Sequence, residues 1–349
     1  MSDVLIRRDG PVGHITLNRP RALNALTQAM CEAMSAALLE WRGDASVAAV
    51  ILDHAEGRGF CAGGDVGQVR ASAMDDGGAA GRAFFHAEYR LNHLLFTYPK
   101  PVIAFMDGVT MGGGVGISLP AQYRVATENT LFAMPEGAIG LFPDVGAGWY
   151  LPRLPGMVGK FLALTGARLD GAECLWAGLA THYCAAESLA QVKLKIADRP
   201  QQITEIMHEF SGVPPQPRLA GNAERIDRLF APATLEGIIA ALGADPSDWA
   251  AKELKAVTIK CPTSAKVALR QFEQGAAVGD FTAEMTLEYR LAARMMLRGD
   301  FVEGVRAVLV DKDHAPQWNP SAPEDVTEAM LDAIFSPLPP SQEWTPFPS

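Results

Sequence analysis

The chain has 349 residues, 48% hydrophobic and 20% charged, which is enough for one large domain or a core with an appendage. Its formal net charge of −10, with no basic tract, argues against nucleic acid as a partner, though local basic residues can still meet an anionic small molecule. Cys31, Cys61, Cys174, Cys184 and Cys261 are sparse, odd in number and without CxxC spacing, so they give neither a disulfide framework nor a zinc site and fit a reducing compartment.

A strand-like run begins almost at Met1, so no signal or transit peptide is visible. The least charged stretch, 101–121, contains Asp107, two prolines and several glycines, poor material for a membrane span. A soluble cytoplasmic protein is expected.

In chain order, Val4–Arg8 and Val12–Asn18 flank the turn dipeptide Asp9-Gly10 and read as a hairpin. NRPRALNAL (18–26) is a polar turn leading into a helix that Thr27 can cap, with Met30, Met34, Ala37, Leu38 and Trp41 on one face. Val47–Leu52 has the character of a buried strand.

HAEGRGFCAGGDV (54–66) then forms a glycine-rich loop before a helix, able to present backbone N–H groups to an oxygen or phosphate. It lacks the GK[ST] of a P-loop and the GxGxxG of a dinucleotide fold. Cys61 reads as a small buried thiol, since no sequence feature supplies it with a base. In the helix expected at 79–97, Phe84, Glu88, Leu91 and Leu95 share a stripe, which puts Glu88 on or beside the apolar face.

The stretch 100–152 organises the rest. Val102–Met106 has strand length and breaks at Asp107-Gly108, and Gly112-Gly113-Gly114 then opens a small-residue run that can begin a helix. From Thr130 to Leu151 only Glu136 and Asp144 carry charge, each after a proline and in apolar, glycine-rich surroundings. Burying a lone carboxylate is costly unless it is paired or hydrogen-bonded. Two of them beside a glycine turn suggest acid/base or nucleophilic chemistry next to a backbone anion site. The plainer reading is that both acids start helices, where carboxylates suit the N-terminal dipole.

Gly156–Thr165 and Asp170–Ala177 look helical and Ala180–Ala185 looks like a last strand. Strands and helices thus alternate over 1–190, the pattern of an α/β domain, whereas 191–349 reads as helices ending in a Pro-rich tail. No GxSxG occurs, against an α/β-hydrolase thioesterase, and no histidine falls in HExxH spacing. His86 and His93 read as structural or solvated.

NRPRALNAL, GRGFCAGGDV, KPVIAFMDGVTMGGGVGIS and FAMPEGAIGLFPDVGAGWYLPRL, with TLEYRLAARMMLRGDFVEGVRAVLVDKDHAPQWNP at 286–320, resemble in order and spacing the crotonase (enoyl-CoA hydratase/isomerase) superfamily. Within it they are similar to the 3-hydroxyisobutyryl-CoA hydrolase branch. The resemblance implies a crotonase-like spiral of ββα units with a helical C-terminal extension packed on it and helping to close an acyl pocket.

It also implies an oxyanion hole from the Gly64 and Gly113 N–H groups, and an acyl pocket lined by Glu88, Glu136 and Asp144. Backbone atoms around Ala62 and Asp65 would face the adenine of coenzyme A, and Arg19 or Arg21 its phosphates. Glu136 would activate water or attack the carbonyl itself, while Asp144 would bind the substrate's 3-hydroxyl or share a proton with Glu136. An acyl-CoA is then the partner, and coenzyme A belongs to the substrate rather than being a cofactor; a homo-oligomer is compatible.

Hydratases of this superfamily carry a second glutamate three residues after the oxyanion-hole glycine. Here that position is Gly116, and Asp144 stands where they usually have glycine. This favours hydrolysis over hydration, with a hydratase/isomerase or a non-catalytic CoA-binding protein as the alternatives.

Overall fold

The computed structural model describes residues 2–348. Ten strands form two sheets. They are β1 (Val4–Asp9), β2 (Val12–Leu17), β3 (Ala49–His54), β4 (Gly59–Cys61), β5 (Val102–Met106), β6 (Val109–Met111), β7 (Tyr123–Ala126), β8 (Leu131–Ala133), β9 (Leu169–Asp170) and β10 (His182–Tyr183). The larger sheet runs β1-β2-β3-β5-β7-β10 and the smaller β4-β6-β8-β9.

The β1–β2 hairpin is antiparallel, with Val4 opposite Leu17, and β2, β3, β5, β7 and β10 then run parallel. Each of the pairs β3–β4, β5–β6 and β7–β8 adds one strand to each sheet before the chain turns back, which makes the structure a spiral of repeating units.

Helices α1 (Gln28–Gly43), α2 (Val66–Asp75), α3 (Ala79–Phe96), α4 (Gly113–Ser118), α5 (Ala147–Tyr150), α6 (Val158–Thr165) and α7 (Gly171–Trp176) lie between or beside the strands. The rest follow as α8 (Leu189–Asp198), α9 (Ile203–Phe210), α10 (Ala223–Leu229), α11 (Leu235–Ala244), α12 (Asp248–Thr258), α13 (Pro262–Ala277), α14 (Phe281–Met295), α15 (Gly299–Val305) and α16 (Glu328–Phe335).

The larger sheet is covered on both faces, so its central strands are apolar along their length. Ile51, Ile103 and Phe105 pack with Val192 and Ile196 of α8 and Ile203 and Ile206 of α9. The alternate residues Val50, Leu52, Val102 and Ala104 point into the main core, with α1 and α3. The hairpin, Val102–Met106 and the helices of the first half stand close to where the periodicity puts them. The expected strand at 180–185 shrinks to the pair His182–Tyr183, next to Val125 and Ala126 of β7.

Among the described residues no strand follows β10. The helices beyond it do not build a core of their own. Met285 and Leu291 of α14, together with Trp344, join the same buried cluster as β3 and α3. The Trp344 indole donates to the His86 carbonyl at 3.3 Å, and α13 packs against α5 and α6.

Candidate active site

β4 and β6 are parallel neighbours, so the loops leaving their C-terminal ends meet. In each loop the residue before the expected N–H donor has a positive φ, 122° at Gly63 and 47° at Gly112. Such angles are easy only for glycine. The Gly64 and Gly113 N–H groups have no acceptor among the described residues. Their backbones touch: a Cβ on Gly113 would lie 3.2 Å from the Gly64 nitrogen and 2.4 Å from Glu88 Oε1. Two unspent donors therefore converge beside a carboxylate, with no room for a side chain between them.

Three elements bring acids to this spot. Glu88 lies on the buried face of α3, Glu136 begins the 3-10 turn Glu136–Ile139 that follows β8, and Asp144 sits in the turn before α5. They are 2%, 5% and 4% exposed. Of the two acids that could have started α-helices, Glu136 opens a single 3-10 turn and Asp144 starts no helix.

A cavity of about 170 Å³ joins the three acids to Gly64, Gly113 and the ring of Phe84, and no Lys, Arg or His lines it. Burial, then the Asp144 charge, holds Glu136 well above the usual carboxylate range. Burial, Asp144 and Glu136 do the same to Glu88. Burial pushes Asp144 up only to about 6, because the Tyr89 hydroxyl donates to it at 2.7 Å and favours its charged form. Near neutral pH Asp144 therefore carries the charge, and that charge raises its two neighbours further.

The C-terminal region reaches the same cavity. Val308 and Leu309, on a π-helical turn at Arg306–Val310, line it. Arg306 holds that turn through Glu303, Asp311 and Asp313.

Two residues expected at the nucleotide end have partners of their own. Asp65 does not line the cavity: its N–H is bonded to the Leu26 carbonyl and its side chain caps α2. Arg19 is tied to Asp65 Oδ2 at 2.9 Å and to the Ala25 carbonyl at 3.0 Å, a local brace rather than a free phosphate contact. Ala62 does line the cavity, but its N–H is spent on the Leu23 carbonyl, so of its backbone only the carbonyl can face a ligand.

Cys61 is buried, its thiol pushed up to about 12 by burial, which suits packing rather than attack. His86 packs edge-on against Tyr289, and His93 stacks on Phe281.

Sequence reading missed Tyr89, although it adjoins Glu88 on a helix read as amphipathic. It also missed the partner of Gly116. A Cβ on Gly116 would lie 2.5 Å from Val145 Cβ and 2.8 Å from Asn92 Nδ2. Val145 fills the place into which a side chain at 116 would project.

A model of the enoyl-CoA hydratase/isomerase family matches residues 12–335. The chain belongs to this family. Among family members, the chain is 41% identical to the mitochondrial 3-hydroxyisobutyryl-CoA hydrolase of Gallus gallus, over 97% of this chain and 89% of that one. It is 43% identical to the enzyme of the same name from Danio rerio, over 97% and 90%.

A solved structure from the family, the carnitinyl-CoA dehydratase of Mycobacterium thermoresistibile, superimposes with a TM-score of 0.94 at 38% identity and covers 99% of both chains. The spiral is thus the crotonase fold. The relatives' names also correct the expected cytoplasmic location, since both hydrolases are mitochondrial. Sparse free thiols mark a reducing milieu without saying which compartment supplies it. No helix among the described residues is long and apolar enough to cross a membrane.

Proposed function

We propose that this protein hydrolyses the thioester of 3-hydroxyisobutyryl-CoA to 3-hydroxyisobutyrate and free CoA, a step of valine degradation. The observation that carries hydrolysis over hydration is the contact between Gly116 and Val145. The position that holds a second acid in hydratases has no side chain here and no space for one. The second carboxylate comes instead from Asp144, on the other side of Glu136 in the sequence. The relatives named as hydrolases, 41% and 43% identical over nearly the whole chain, support the same reading.

The geometry supports the following reaction. The thioester carbonyl oxygen accepts the N–H groups of Gly64 and Gly113. Donors aimed at charge that develops in the transition state are worth roughly 10²–10³ in rate each. Ionised Glu136, whose Oε2 has no hydrogen-bond partner, takes a proton from water as the water oxygen bonds to the carbonyl carbon. The tetrahedral oxyanion collapses, the C–S bond breaks, and the CoA sulfur leaves with the proton from Glu136.

In the covalent variant Glu136 Oε attacks first, CoA leaves as the thiolate, and water opens the resulting anhydride. Single turnover in ¹⁸O-labelled water separates the two, since only the covalent route puts label on Glu136. Asp144, held by Tyr89, accepts the substrate's 3-hydroxyl with its remaining acceptor capacity. Chain, substrate and water suffice for every step.

A dehydratase name on a close structural relative favours water addition as the second reading. Giving the protein 3-hydroxyisobutyryl-CoA and crotonyl-CoA separately tests both. Release of CoA thiol from the hydroxy ester is expected, with little loss of enoyl absorbance. Fast hydration without thiol release overturns the proposal.

A further inference from the structure

Among the buried acids with no part in these steps, one holds the turn beside Asp144. Glu288, on α14, is fully buried and does not line the cavity. Its Oε2 accepts the Gly146 N–H at 2.7 Å. Its Oε1 accepts the Gly148 N–H at 3.1 Å and the Gln271 side-chain amide at 2.9 Å. Gly146 belongs to the turn that directly follows Asp144, and Gly148 to the start of α5.

In that turn Val145 has φ 56° and Gly146 φ 93°. For a β-branched residue a positive φ is a true outlier, and it persists only where the surroundings over-determine it. Turn N–H groups that converge this way make an anion-binding concavity, and here a side chain of the protein occupies it. Three donors meet one group, and only a carboxylate accepts from all three without presenting a donor of its own. Burial raises both Glu288 and its neighbour Glu284, one helical turn away. Glu288 faces three donors.

We propose that Glu288 is a positioning residue for the hydrolysis: by holding the Gly146 and Gly148 N–H groups it fixes the turn that aims Asp144 into the acyl cavity and lays Val145 over Gly116. Helix α14, which does not line the cavity, thereby sets the geometry of an acid that does. The inference rests on the role given to Asp144 above.

Glu288→Gln keeps the volume but brings an amide donor among three donors. Thiol release should lose about 10- to 100-fold in kcat, the size of effect a small misplacement of a reacting group produces, with KM nearly unchanged. In an Asp144→Asn background the same change should lower kcat less than about 2-fold, as expected for residues acting as one unit. The melting temperature should fall in both backgrounds.

Equal fold-losses of kcat in the two backgrounds overturn the proposal, because Glu288 would then act through general packing. So does parental kcat in Glu288→Gln. Should that variant not fold, Gln271→Met removes one bond to Glu288 and leaves the backbone bonds in place. It should show a smaller kcat loss that again vanishes with Asp144→Asn, and an undiminished kcat overturns the idea. An Asp144→Asn protein with parental turnover sinks the reading of Asp144 itself. Failure of the Glu288 inference alone leaves Asp144→Asn impaired.

Discussion

Asp144→Asn should make the protein more stable while it makes it a worse catalyst, and the gain should depend on pH. Asp144 is 4% exposed, and burial moves its pKa from 3.8 to about 6. A raised carboxyl means that the folded chain holds a proton the unfolded chain has already lost. The stability this gives is complete below pH 3.8 and is lost as pH rises through about 6. A shift of ~2 units corresponds to about 3 kcal/mol at 1.36 kcal/mol per unit.

Asparagine does not ionise, and its carbonyl still accepts the Tyr89 hydroxyl, so the variant escapes this loss. Equilibrium urea unfolding should show no gain at pH 4 and a gain on the order of 3 kcal/mol at pH 7.5. The gain should grow further at higher pH, because without the Asp144 charge Glu136 ionises sooner and costs the folded chain less. A variant less stable than the parent at pH 7.5, or a difference that does not change with pH, refutes the reasoning.

Glu136→Gln should cut turnover by orders of magnitude while calorimetry still shows CoA-ester binding; near-parental turnover removes Glu136 from the chemistry. Because burial and Asp144 raise the Glu136 pKa, and only its ionised form acts, the parent's kcat/KM should climb with pH through that raised value; a rate that falls over the same range contradicts the assignment. Gly116→Glu should not create a hydratase: its Cβ meets Val145 at 2.5 Å, and such overpacking costs about 1–3 kcal/mol, so a lower melting temperature with no gain of crotonyl-CoA hydration is expected. A chain ending near residue 190 lacks Val308 and Leu309 of the cavity wall and the α14 side of the core; it should be insoluble or inactive, and a soluble, fully active fragment would contradict the placement of the C-terminal helices.

Much of the cavity was legible because isolated charges stand out in apolar sequence. Glu136 and Asp144 are the only charged residues between Thr130 and Leu151, and Glu88 falls on a stripe, Phe84 to Leu95, whose period is clear over about three turns of α3. The smaller sheet was not legible. Its strands have two or three residues each, too few for alternation to register. Glu288 was missed for a different reason. In the sequence of α14 the apolar spacing of Leu287, Leu291 and Met295 is the evident stripe, yet Leu287 is only half-buried, and the inward face also carries Glu284, Met285 and Glu288. Two acids on an apolar face at i, i+4 were the available signal. The left-handed Val145 left none, since its conformation is imposed by Glu288 from 143 residues downstream in the chain.

The absence of any basic side chain from the cavity wall bears on how the reaction ends. The ester enters with an uncharged acyl group, but hydrolysis leaves a carboxylate in the same low-dielectric space as ionised Asp144. Two like charges about 4 Å apart repel by roughly 4 kcal/mol at an effective dielectric near 20. In the proposed reaction this repulsion speeds release of the free acid and leaves little room for the product to inhibit. The same field disfavours acyl groups that already carry a carboxylate, so the cavity sorts CoA esters by charge before it sorts them by shape.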